Sequence, residues 1–201
     1  MKKRILSAVI AIFVIVCLSV SALAEEETPT EYNNMVSLLM EGETGTVLQH
    51  NGGYEKVAQG TLNKLMTVLL TAEEIESGGL SINDVVTVSS NANAQTGAVV
   101  WLMPGEEITI EELLKSVIIG NANDASVALA EIVGGNEEEF TGMMNARAFE
   151  LGMRNTVFKN PAGYDCAGQY STPYDMALLC RELLKHEFLY KIMNTWIDRV
   201  R

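Results

Sequence analysis

The sequence predicts a mixed α/β domain of the α+β kind, in which an antiparallel hairpin precedes a run of helices. Two strand-like runs, residues 36–40 and 46–49, flank a glycine-bearing loop, which is typical of a β-hairpin. Further along, apolar residues recur at steps of three and four, which is typical of amphipathic helices. The chain has 201 residues, enough for one domain of ordinary size.

The N-terminal 24 residues have the pattern of a secretory signal peptide. Basic residues open the chain, an apolar run follows over residues 5–18, and residues 22–24 form a small-residue cleavage site. A membrane anchor is the alternative, but the run is shorter than the roughly 20 apolar residues of a spanning helix. We therefore expect an exported protein, secreted or at the cell envelope. Residues 25–31 are expected to be a flexible acidic leader, and residues 32–201 one domain.

The predicted helices follow from apolar spacing and from the residues at their ends. Thr109-Ile110-Glu111-Glu112 has the pattern of a capping box, and Thr172-Pro173 that of an N-cap with proline at the first helical position. Phe140, Met143, Met144 and Leu151 are expected to face the core from one of these helices. The helices are predicted at residues 61–75, 110–118, 124–133, from about 136 to 151, and from 173 onward, with a short strand at 85–88.

Composition excludes several classes of function. The net charge of −12 disfavours nucleic acid or an anionic lipid surface as a partner. The two histidines, His50 and His186, have no acidic or cysteine partner at metal-ligand spacing. The sequence therefore predicts neither a metal site nor a histidine-dependent triad.

Two cysteines, Cys166 and Cys180, remain once the signal peptide is removed. In an exported protein such a pair can form a disulfide. Two free thiols are the favoured alternative, because Cys180 lies on the apolar stripe of a predicted helix.

Two segments carry candidate chemistry. Thr61 and Lys64 are three residues apart at a helix start, so the amine can reach the hydroxyl, and a desolvated lysine can activate a hydroxyl for acyl transfer. Asn121 and Asn123, at a helix junction, can line a cleft. Each pattern taken singly also fits ordinary helix capping, so neither segment decides the function alone.

Together, these segments resemble the serine D-alanyl-D-alanine carboxypeptidases of the penicillin-binding type, whose motifs are Ser-x-x-Lys, Ser-x-Asn and Lys-Thr-Gly. Residues 64–67 resemble the end of the first motif, and residues 123–125 with 128–131 resemble the second motif and its helix. The resemblance extends roughly from Tyr32 to Arg201. Further matching segments lie at residues 144–145, 151–153, 155–156, 160–161 and 170–172.

The resemblance implies the serine β-lactamase and transpeptidase fold, an antiparallel sheet packed against a helical cluster. It implies removal of the terminal D-alanine from peptidoglycan pentapeptides through an acyl-enzyme, without metal or cofactor. Transferred by position, Thr61 is the nucleophile, Lys64 the base, Asn121 stands at the proton relay, and Asn123 contacts the substrate amide. The implied ligands are peptidoglycan stem peptides and β-lactams.

The sequence departs from the family pattern at three points. Thr61 stands where the family has serine, and its extra methyl group crowds the approach to a carbonyl. Asn121 replaces the second serine, and its amide nitrogen only donates while its carbonyl oxygen only accepts. No Lys-Thr-Gly follows Tyr170, so the third motif and the C-terminal strands are expected to be missing.

These departures predict an impaired or inactive enzyme. Loss of one oxyanion-hole donor typically costs about 100-fold to 1000-fold in turnover. The alternative is a non-catalytic pseudoenzyme or truncated gene product that at most binds cell-wall peptides. A hairpin alone covers the apolar stripes of the helices poorly, so self-association through an exposed strand edge is also expected.

Overall fold

The computed structural model describes residues 35–199. The predicted signal peptide and leader therefore lie outside the described residues. No helix within residues 35–199 is both long enough and apolar enough to cross a membrane.

The described residues form two small antiparallel sheets. The first is the predicted hairpin, in which strand β1 (Ser37–Met40) pairs with β2 (Val47–Asn51), and it is confirmed. The second pairs β3 (Val85–Thr87), also predicted, with β4 (Glu107–Thr109), which was not predicted. At three residues, β4 is too short for an alternating pattern to be recognised in the sequence.

The helices agree closely with the predicted ones. A 3-10 turn, Gly60–Leu62, leads into the first α-helix. Two short helices, Ser90–Asn93 and Leu189–Met193, were not predicted. The α-helices are α1 (Asn63–Ser77), α2 (Ser90–Asn93), α3 (Ile110–Ile118), α4 (Asn123–Gly134), α5 (Glu137–Glu150), α6 (Pro173–Leu183) and α7 (Leu189–Met193).

Local signals at the helix ends are confirmed in detail. The Thr109 hydroxyl accepts a hydrogen bond from the backbone N–H of Glu112 at 3.2 Å, and the Glu112 carboxylate accepts one from the Thr109 N–H at 3.0 Å. The Thr172 hydroxyl likewise accepts from the Asp175 N–H at 3.1 Å. Both caps satisfy backbone donors that the first turn of a helix leaves unpaired.

The core lies between α1, α3, α4 and α5. Its largest fully buried side chains include Met66 and Leu69 of α1, Leu113 of α3, Leu129 of α4 and Phe140 of α5. Burial of such side chains contributes roughly 1.5 to 3 kcal/mol each relative to exposure. The helical cluster is therefore the main source of stability in the described part of the chain.

The prediction is wrong for two residues that were expected on the buried face of a helix. Met143 and Cys180 are exposed, whereas their neighbours Met144 and Leu179 are fully buried. Consecutive side chains of a helix point in directions about 100° apart. A residue at the edge of the buried face can therefore be exposed although its neighbour in the sequence is buried. The favoured state of the cysteines is nevertheless confirmed, because Cys166 and Cys180 are both free thiols.

The apolar stripes expected to remain uncovered are largely buried. Met66, Leu69 and Val117 lie in the core, whereas Leu65 and Ile118 are half-buried. Leu62, which belongs to the same stripe, is exposed as predicted, and Leu39 and Leu48 of the hairpin are exposed as well. Self-association through the strand edge stays a prediction.

Candidate active site

Thr61 lies in the 3-10 turn that precedes α1, and its side chain is exposed. Within residues 35–199 its hydroxyl takes part in no hydrogen bond. The carbonyl oxygen of Gly60, the preceding residue, lies so close to Gly163 that a methyl group on Gly163 would overlap it. Glycine at position 163 therefore allows the turn to pack against the neighbouring loop.

Lys64 is buried, with 4% of its surface exposed, and its Nζ donates a hydrogen bond to the carbonyl oxygen of Ala162 at 2.7 Å. Burial lowers the pKa of Lys64 from 10.5 to about 8. The described part of the chain offers this ammonium no carboxylate partner. At pH 7 about one tenth of the amines are therefore neutral and able to accept a proton.

The loop 160–164 holds the start of α1 in place. Asn63 donates from its amide nitrogen to the Asn160 carbonyl oxygen at 2.8 Å. The hydroxyls of Thr67 and Ser126 both donate to the carbonyl oxygen of Pro161, at 3.0 and 2.9 Å. Because Ser126 belongs to α4, this one carbonyl joins the two helices that carry the candidate residues.

Asn121 lies between α3 and α4 with a φ of 52°, in the left-handed region that asparagine adopts more readily than most residues. Its side chain is exposed. The backbone N–H of the next residue, Ala122, donates to the Ser116 carbonyl oxygen at 3.1 Å and so closes the end of α3.

A cleft of about 410 Å³ brings three of the four predicted site residues together. Thr61, Lys64 and Asn121 provide its polar groups. Its other walls are apolar and are provided by Leu62, Leu65, Val68, Val117, Ile118 and Met193. The contribution of Met193 was not predicted, because α7 is far from α1 in sequence and has no catalytic motif.

Asn123 does not line this cleft. Its side chain is buried, and its amide nitrogen donates to the Thr96 carbonyl oxygen at 2.6 Å, while its backbone N–H donates to Ala98 at 2.7 Å. The structure thus places Asn123 beneath the loop around residues 96–98.

Asp124, the next residue, was missed as a positioning group. Its buried carboxylate accepts hydrogen bonds from the backbone N–H groups of Val100 and Leu102, on either side of Trp101. An acidic residue in the first turn of a helix is an ordinary cap, so the sequence provided no signal for this longer-range contact.

Comparison with known proteins shows which family the chain resembles. The family model for D-alanyl-D-alanine carboxypeptidase matches residues 23–200. The chain is 39% identical to the D-alanyl-D-alanine carboxypeptidase DacF of Bacillus subtilis (strain 168), over 99% of this chain and 52% of that protein. The chain thus spans about half the length of this relative.

Solved structures confirm the predicted fold, with its helices and small antiparallel sheets. The crystal structure of the D-alanyl-D-alanine carboxypeptidase DacD from Francisella tularensis matches with a TM-score of 0.77 and 33% identity, over 79% of this chain and 38% of that one. Penicillin binding protein 6B from Escherichia coli matches with a TM-score of 0.72 and 30% identity, over 75% of this chain and 50% of that one.

Proposed function

Because the chain belongs to the D-alanyl-D-alanine carboxypeptidase family, we propose that its cleft binds peptidoglycan stem peptides that end in D-alanyl-D-alanine, and also β-lactams. We further propose that acyl transfer at Thr61 is slow or absent. One observation carries the proposal: Thr61, Lys64 and Asn121 line the same cleft, and Lys64 is buried there with no carboxylate partner among residues 35–199.

In the proposed reaction, neutral Lys64 accepts the proton of the Thr61 hydroxyl. The Thr61 oxygen then forms a bond to the carbonyl carbon of the penultimate residue. The carbon–nitrogen bond breaks, and the terminal D-alanine leaves with the proton on its amine nitrogen. Water hydrolyses the resulting ester and regenerates the Thr61 hydroxyl. The lowered pKa of Lys64 supports its role as the base at neutral pH.

Two side chains slow this reaction. The methyl group of Thr61 restricts rotation about its Cα–Cβ bond and crowds the approach of the carbonyl carbon. At Asn121, neither the amide oxygen nor the amide nitrogen can both accept a proton from Lys64 and donate one to the leaving amine. A water molecule or Lys64 itself must then protonate the leaving group.

A protein that only binds peptides is the second candidate. Asn123, the residue expected to contact the substrate amide, instead donates its amide hydrogen to Thr96. This hydrogen bond uses one of the two amide hydrogens, and because Asn123 is only 8% exposed, little of its amide is open to a ligand. The observation favours binding that is weaker than in the family and is not followed by acylation.

The test compares covalent labelling of the full chain and two variants by a fluorescent penicillin, together with release of D-alanine from a pentapeptide. We expect no labelling of the wild-type chain or of Thr61→Ala, and measurable labelling when Thr61→Ser and Asn121→Ser are combined. Stoichiometric labelling of the wild type at Thr61, located by peptide mass, would show that threonine is a working nucleophile. A double variant that binds the pentapeptide without being labelled would support the binding-only function.

The substrate lies outside the cytoplasm, so the proposed function requires export. The signal peptide predicted over residues 1–24 would provide it. N-terminal sequencing of secreted protein is expected to begin at Glu25, and a sequence beginning at Met1 would contradict this expectation.

A further inference from the structure

Tyr164 is the last residue of the loop that holds the start of α1, and its backbone is fixed on both sides. Its N–H donates to the side-chain oxygen of Asn160 at 2.9 Å. Its carbonyl oxygen accepts from the amide nitrogens of Asn160 and Gln169, at 2.9 and 3.0 Å. The backbone of Tyr164 is therefore held by bonds that do not involve its ring, and the ring leaves the loop from a fixed point.

The Tyr164 hydroxyl pairs with both backbone polar groups of Thr96, which lies 68 positions away in the sequence. It donates to the Thr96 carbonyl oxygen at 2.9 Å and accepts from the Thr96 N–H at 3.1 Å. A phenol hydroxyl can form both bonds at once, since it has one hydrogen to donate and lone pairs that accept. Thr96 is exposed and lies between α2 and β4, outside any helix or strand, so this pairing fixes the orientation of its peptide groups.

The Thr96 carbonyl oxygen is also the acceptor of the Asn123 amide nitrogen, at 2.6 Å. Gly97 packs directly against this nitrogen, because a Cβ atom at Gly97 would lie only 3.1 Å from it. The side-chain amide is planar, so fixing its nitrogen also fixes the direction of its oxygen. Within residues 35–199 this oxygen accepts no hydrogen bond, so it is the part of the Asn123 amide that is left for a ligand N–H.

Other contacts hold the same loop, but they do not act on the carbonyl group of Thr96. The backbone N–H of Asn123 donates to the Ala98 carbonyl oxygen at 2.7 Å, and the Asp124 carboxylate holds residues 100–102. These contacts keep the loop on α4 when the tyrosine hydroxyl is removed. We therefore expect loss of the hydroxyl to free the Thr96 peptide groups and to leave the rest of the loop in place.

We propose that Tyr164 is a positioning residue for ligand binding. Through the Thr96 carbonyl oxygen, its hydroxyl orients the amide of Asn123 toward an N–H group of the ligand. The proposal rests on the proposed function for the identity of this ligand, a peptide that ends in D-alanyl-D-alanine. Tyr164 also connects the two segments of the candidate site, because its loop supplies the carbonyl oxygen of Ala162 to Lys64.

The test compares the full chain with Tyr164→Phe, which removes the hydroxyl and keeps the ring. Hydrogen exchange with water, followed by NMR of isotope-labelled protein, reports on each amide separately. We expect the Asn123 side-chain amide and the Thr96 N–H to exchange about tenfold faster in the variant, because both hydrogen bonds of the hydroxyl are lost. The Asn145 side-chain amide donates to two backbone carbonyl oxygens elsewhere and is the internal reference, which should not change.

Peptide binding shows whether the orientation of Asn123 matters for function. The probe is acetyl-Ala-D-Ala-D-Ala, and its Kd is expected to rise about fivefold in Tyr164→Phe, as for the weakening of one hydrogen bond. Tyr54→Phe is the matched control. The Tyr54 ring is exposed and its hydroxyl takes part in no hydrogen bond within residues 35–199, so this change should leave the Kd unaltered.

The outcomes separate this inference from the proposed function. Unchanged exchange of the Asn123 amide in Tyr164→Phe would overturn the inference. Faster exchange together with an unaltered Kd, for a peptide that the wild type binds, would overturn it as well, because the hydroxyl would then serve only the structure of the loop. If the peptide binds to neither protein, the proposed function fails, and faster exchange at Asn123 still supports the orientation of its amide by Tyr164.

Discussion

The segments around Lys64 and around Asn123 differ in how their polar groups are used. Both lie at the first turn of a helix, and both donate to the backbone of a neighbouring loop, to Ala162 and Thr96 respectively. Lys64 also lines the cleft, so its amine remains close to the reacting position. Asn123 does not line it, and Asp124 beside it holds the loop of Trp101.

This difference shows that a residue of a catalytic motif can be present in the sequence while its side chain is used for structure and not for chemistry. Lys64, which the sequence resemblance predicts to be a motif residue, lies in the cleft. Asn123 is predicted to be a motif residue as well, but its side chain stabilises a loop. In the second segment the residue that lines the cleft is Asn121, where the resemblance predicts a serine in the family. The second segment is therefore mainly architectural, and three substitutions test this distinction.

The largest effect is expected for Asp124→Ala, which tests the architectural role of the second segment. The change removes the carboxylate that accepts hydrogen bonds from the buried N–H groups of Leu102 and Ala125 and from the half-buried N–H group of Val100. We expect the free energy of unfolding, measured by urea denaturation, to fall by about 3 to 5 kcal/mol. Asp165→Ala is the control for loss of an exposed carboxylate. Equal effects of the two variants would mean that the hydrogen bonds accepted by Asp124 contribute little to the free energy of unfolding.

An intermediate effect, dependent on pH, is expected for Lys64→Met. Burial lowers the pKa of Lys64 from 10.5 to about 8, so between these values the unfolded chain holds a proton that the folded chain has released. The stability of the wild type therefore rises with pH across this window, relative to the variant, by about 3 kcal/mol from pH 7 to pH 10.5.

Urea denaturation at several pH values from 7 to 10.5 measures this difference. Lys159→Met, at an exposed lysine, is the control and corrects for the general effect of removing a lysine. A stability difference between wild type and Lys64→Met that does not change with pH would show that Lys64 is solvated, and would remove the support for its role as a base.

The smallest of the three effects is expected for Gly163→Ala, which tests the packing of the first segment. The new methyl group would overlap the Gly60 carbonyl oxygen, and the φ of 88° is unfavourable for alanine. We expect a loss of about 2 kcal/mol in the free energy of unfolding. Gly142→Ala is the matched control, because space is open there and α5 favours alanine, so stability should rise slightly. Stabilisation by both changes would contradict the close packing.

The sequence alone was sufficient for the features that depend on residues near one another in the chain. The hairpin, the capping box at Thr109 and the N-cap at Thr172 each involve atoms within a few residues, so the local pattern contains the whole interaction. The family was recognised for a similar reason, because its motifs are short and occur in a fixed order.

Only the tertiary structure decided which side chains reach the cleft and which are held elsewhere. Lys64 meets Ala162 and Asn123 meets Thr96 across long stretches of chain, and Met193 closes the cleft from α7. No local pattern encodes these contacts, because they depend on how the helices pack and on which loop passes over each helix start. Asn121 and Asn123 are two residues apart in the sequence, yet packing exposes the first in the cleft and buries the second beneath a loop.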